Sequence, residues 1–109
     1  MPKRAAVVWT RPALDSLLDI ARRIQMDKPS AARRFAATVK AKVASLQDFP
    51  EAGRLVPEFP GSGLRELLIG NYRVIYRVLT VPAKVQILTV RHGARLLDQE
   101  IGEQRDETI

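Results

Sequence analysis

The sequence predicts an α+β domain of order β-α-α-β-β-β, a small, mostly antiparallel sheet packed on a two-helix hairpin. Three observations carry this. Apolar residues recur at helical spacing through the first half, β-branched and aromatic runs fill the second, and Pro and Gly cluster between them. The 109 residues are one domain's worth of chain, and 46% hydrophobic residues suffice for an ordinary core.

Residues 5–9 (AAVVW) form a short apolar run that reads as the first strand. Thr10 is a preferred N-cap and Pro12 falls where a missing N–H costs nothing, so a helix starts at Thr10 or Arg11. Leu14, Leu17, Leu18, Ala21 and Ile24 then repeat at amphipathic spacing to about Gln25. Asp15 in its first turn and Arg22 and Arg23 in its last suit the helix dipole. Pro29 opens a second helix, in which Ala32, Phe35, Val39, Val43 and Leu46 make one stripe over four turns. The short break between them makes a helical hairpin.

Residues 48–63 hold three Pro and three Gly and read as an irregular connection. Strand-like runs follow at 64–69, 72–79 and 85–90, joined by Gly70-Asn71 and by a turn over residues 81–84. In the middle run Tyr72, Val74, Tyr76 and Val78 share the face fit to pack on the helices. Arg73, Ile75 and Arg77 share the other face, which is expected to present guanidinium groups to solvent.

Charge is unevenly spread. Eighteen Lys and Arg against twelve Asp and Glu give +6. Residues 98–109 hold five of those acids and one Arg, so the other 97 residues carry 17 bases against 7 acids, a net of +10. That balance favours an acidic partner, and the predominance of Arg favours carboxylates or phosphates. The absence of Cys excludes disulfides, thiolate metal sites and a Cys nucleophile, and one His excludes a two-His site within a chain. No metal and no cofactor is expected. No apolar run approaches the roughly 20 residues that cross a bilayer, and no signal-peptide pattern opens the chain. A cytoplasmic protein without a membrane partner is expected.

Trp9 ahead of a Leu-rich helix, then residues 49–54 (FPEAGR), 64–67 (LREL), 72–77 (YRVIYR) and 90–95 (VRHGAR), come in a telling order. The ordered set resembles the ParE branch of the ParE/RelE toxin superfamily of bacterial type II toxin–antitoxin systems. The resemblance spans about residues 5–97, giving a toxin domain at 1–97 and an acidic C-terminal tail at 98–109. It implies the topology just read and a toxin, of plasmid-stabilisation or chromosomal type, neutralised by a cognate ParD-like antitoxin. It also admits a higher-order toxin–antitoxin complex. Membership of the ParE branch implies DNA gyrase as the target and no catalytic reaction. The alternative is a RelE-like, ribosome-dependent mRNA endoribonuclease. Such enzymes commonly place an aromatic hydroxyl or His near the C-terminus, and no Tyr follows His92 here.

Arg65, Arg73, Arg77, Arg91 and Arg95 are the candidate target-binding residues, because this 31-residue window holds only one acid, Glu66. The competing reading is a solvated face, or pairing with Glu66 and Glu58. Under the ribonuclease alternative Arg65, Arg73, His92 and Arg95 would be catalytic, with His92 as general acid. Otherwise His92 simply ends a strand. Leu14, Leu18, Phe35 and Val39 are the candidate antitoxin-binding residues. Tyr72 and Tyr76 read as packing, and Gly53 and Pro50 suggest that Arg54 mainly shapes its loop.

Overall fold

Thr10 ties the first strand to the first helix. Its backbone is extended, its hydroxyl accepts from the Ala13 N–H at 3.3 Å and donates to the Ile87 carbonyl at 2.7 Å. The computed structural model describes residues 4–93, with β1 at Ala6–Trp9, α1 at Arg11–Asp27 and α2 at Pro29–Ala44. A 3-10 turn at Ser45–Gln47 leads to β2 (Arg54–Leu55), β3 (Arg65–Ile69), β4 (Tyr72–Thr80) and β5 (Ala83–His92). Arg95 and the acidic tail lie outside the described residues.

The α+β class and the helical hairpin are as expected. The helix α1 starts at Arg11, so Asp15 falls beyond its first turn, and it runs on to Asp27, so Arg22 and Arg23 fall short of its last; neither end carries the charges a dipole argument would use. The sheet has five strands in the order β1-β5-β4-β3-β2, with β1 parallel to β5 and every other pair antiparallel. The added strand, β2, comes from the segment expected to be irregular throughout. Only Val81 and Pro82 separate β4 from β5, because Thr80 already pairs with Ala83. At the other hairpin Gly70 takes a φ of 58°, which a side chain would resist.

Helix α2 stripes its buried Val39 and Val43, followed by Leu46, against Val74, Tyr76, Val85, Ile87 and Val90 of the sheet. Tyr72 and Val78 join them from the edge of that core, so the expected helix-facing side of β4 is correct. The opposite side is not bare. Val56, Leu64 and the half-buried Phe59 fold over Ile75 and Leu88 in a second, smaller cluster. The connection rich in Pro and Gly is therefore a lid on the sheet's second face.

Candidate functional site

That lid changes the environment of the arginines. Arg73 was expected in solvent, but it is 5% exposed. Its guanidinium donates to both Glu58 oxygens at 2.6 and 2.7 Å, and its Nε donates to Glu66 Oε1 at 2.9 Å, with a further Nη2 contact to the same oxygen. Glu66 is itself 1% exposed and accepts a 2.6 Å bond from Arg54 Nε. Four side chains from β2, β3, β4 and the lid thus form one ion network, Arg54–Glu66–Arg73–Glu58. The carboxylates, Glu58 first, hold Arg73 above even its usual high pKa, against the opposing effect of burial. The expectation of a solvated Arg73 fails because an irregular segment brings Glu58 onto it.

The other candidate arginines do not form one groove. Arg65 pairs with Tyr76 across β3 and β4 and lies on the helix-facing side, where Nη1 donates to the Gly53 carbonyl at 2.8 Å. Arg77 is half-buried and donates to Gln86 at 2.6 Å. Arg91 is Arg73's cross-strand neighbour and donates to Thr89 Oγ1 at 3.3 Å. His92 ends β5, is exposed, and meets the Tyr72 ring edge-on at 5.4 Å. Tyr72 in turn tilts against Phe35 at 4.9 Å.

Tyr72 and His92 form a ridge between two clefts. One, of about 600 Å³, also takes in Asp15, Asp19, Arg23 and Arg91. The other, of about 430 Å³, takes in Arg54, Glu58, Arg73 and Gly93. Arg91 and His92 can hydrogen-bond an anion at this ridge. Arg73 cannot turn towards one without abandoning two carboxylates.

The candidate antitoxin residues also divide. Leu14 is half-buried and Leu18 is 44% exposed, so both offer apolar surface. Phe35 is half-buried and already packed on Tyr72. Val39 is 0% exposed and belongs to the core, a correction to its place in that set, since the stripe of α2 faces the sheet. What the sequence did not single out is a groove of about 640 Å³ beside β1, where Val7, Val8 and Trp9 face Leu14, Leu17 and Ala36. Its signal was the apolar run of an edge strand.

The FPEAGR segment has a structural explanation. Gly53 donates its N–H to Tyr76 Oη at 2.8 Å, and Tyr76 has no exposed surface. Burial pushes the Tyr76 phenol above its ordinary value, with the Gly53 bond opposing. On raising pH the unfolded chain loses that proton first, so the stabilisation is complete below about pH 10 and declines above it. Thermal melting between about pH 9 and 11 should show a steeper loss for the wild type than for Tyr76→Phe. Parallel losses in the two proteins would contradict this.

The chain is similar to type II toxins carrying both ParE and RelE names. The family model described as ParE toxin of type II toxin-antitoxin system, parDE, matches residues 7–97. A Caulobacter vibrioides protein named Toxin RelE2 is 40% identical over 92 residues, covering 84% of this chain and 99% of that one. A structure of the chromosomal ParDE toxin–antitoxin system from P. aeruginosa superposes with a TM-score of 0.69 at 24% identity, covering 84% of this chain and 98% of its own. The RelBE2 toxin–antitoxin complex from Mycobacterium tuberculosis gives 0.59 at 26%, covering 82% and 98%.

Proposed function

The chain belongs to the ParE toxin family of type II toxin–antitoxin systems, and on that premise we propose that it inhibits DNA gyrase and is neutralised by a ParD-like antitoxin. The observation that supports this over RNA cleavage is the commitment of Arg73 to Glu58 and Glu66. Cleavage by 2′-hydroxyl attack needs cations on the phosphate together with groups that take and give protons. The cation central to the proposed ribonuclease set is already neutralised by its own fold. Under the gyrase reading Arg65, Arg77 and Arg91 remain for carboxylates or phosphates of the target, while Arg73 and Arg54 hold the surface in shape. The antitoxin covers the apolar groove beside β1, with Leu14 and Leu18 contributing and Lys40 at its lip.

The ribonuclease reading keeps two observations of its own. His92 is exposed beside Arg91 at the ridge, and the Caulobacter relative carries a RelE name. Induction of the protein followed by separate pulse-labelling of DNA and protein synthesis decides between them. DNA synthesis should stop first. An early stop in translation would overturn the gyrase reading.

A further inference from the structure

The solvent side of α2 carries a charge pattern of which the features above employ only Lys40, at the lip of the β1 groove. From residue 28 to residue 47 the chain holds five cations and no carboxylate. Four of them, Arg33, Arg34, Lys40 and Lys42, are exposed on α2, and none forms an ion pair among the described residues. Between Arg33 and Lys42 the only other exposed residues of the helix are Ala37, Thr38 and Ala41. Every large apolar residue of the helix, Phe35, Val39 and Val43, points towards the core.

We infer that this face binds the phosphate backbone of double-stranded DNA. A protein partner normally needs a desolvated apolar centre to its interface; the apolar groove bordering Lys40 is the one assigned to the antitoxin, and between Arg33 and Lys42 the helix otherwise exposes only Ala and Thr. A phosphodiester backbone needs no such centre, because its affinity comes from releasing condensed counterions when cations replace them. The geometry fits. At about 1.5 Å and 100° per residue, Arg33 and Lys40 lie on one flank of the solvent side and Arg34 and Lys42 towards the other, each pair roughly 10–12 Å apart along the axis, a length over which one DNA strand rises past about three phosphates along the duplex axis. The small side chains between let the helix approach closely, and the helix is stiff, as is the duplex. Binding here is independent of sequence, and it does not depend on whether gyrase or the ribosome is the toxin's target.

The test is fluorescence anisotropy of the full chain with a labelled 20-base-pair duplex across 50–200 mM salt, beside a variant carrying Arg33→Ala, Arg34→Ala, Lys40→Ala and Lys42→Ala. Ala is the best helix former, so the variant should keep the fold, which its melting curve checks. With about four phosphates neutralised, wild-type affinity should fall about 100-fold over that salt range, and the variant should lose most of both the affinity and the salt slope. A single strand of equal length should bind more weakly, with a shallower slope. Lack of duplex binding at 50 mM salt would overturn the inference. So would a folded variant that binds like the wild type, a single strand bound as tightly as the duplex, or an acidic polypeptide that competes equally per charge.

Discussion

Replacing Arg73 with Ala is expected to destabilise the fold by about 3–5 kcal/mol, the usual cost of breaking a buried ion pair from one side. The reason lies in what is left behind. Glu58 and Glu66 would face each other across the vacated space, and only Arg54, more than half exposed at its side chain, would remain to compensate Glu66. For a domain of this size each kcal/mol lowers the melting temperature by roughly 4–8 °C, so the variant should lose much of its folded population in the cell. Arg91→Ala provides the contrast. Arg91 is half-buried with a 3.3 Å bond to Thr89, and its loss should cost about 0.5–1 kcal/mol. Both variants are expected to lose growth inhibition, one through its fold and the other through contact with the target. Urea unfolding separates the two. An Arg73→Ala protein within about 0.5 kcal/mol of wild type would refute the network's importance. Replacing Arg73, Glu66 and Glu58 together by apolar residues of similar volume should recover most of the loss, since the only charge left of the network is then Arg54, whose side chain is more than half exposed.

The same residue shows where sequence reasoning stops. The stripe of Val39, Val43 and Leu46 was legible because helical periodicity reports burial within one element, and the structure buries all three. Tyr76 and Val74 were legible for the equivalent reason, since strand alternation reports a face. Alternation cannot say whether the second face is covered. Here the cover is Val56, Phe59 and Leu64, which come from a segment with no period at all. The two residues of β2 gain their strand conformation only by pairing with Glu66 and Arg65. Both acids that neutralise Arg73 stood in view in the sequence, but their convergence is a tertiary fact. Val39 illustrates the converse error. An apolar residue on a well-formed stripe belongs to the chain's own core before it belongs to a partner.

Gly53→Ala is expected to be among the most damaging single-methyl additions in the chain, at about 3 kcal/mol, the upper part of the range for overpacking a core. A Cβ there would lie 2.6 Å from the Glu66 carbonyl oxygen, 2.6 Å from Tyr76 Oη and 2.8 Å from Tyr76 Cε1. The first is backbone held in the β2–β3 ladder, and the others belong to a fully buried ring, so none can give way cheaply. Relieving the clash by moving residue 53 would break its 2.8 Å bond to Tyr76 and displace the carbonyl that Arg65 grips. It would also pull on Arg54, and through it on Glu66 and Arg73. Tyr76→Phe isolates one part of this effect, because it removes the hydroxyl acceptor and leaves the Gly53 N–H unsatisfied, at a cost of about 1–3 kcal/mol. In the Tyr76→Phe background Gly53→Ala should cost less than it does alone, since one of the three clashing atoms is gone. A double-mutant cycle by urea unfolding measures that coupling. Strictly additive costs would mean that the glycine is there for a reason other than its approach to Tyr76.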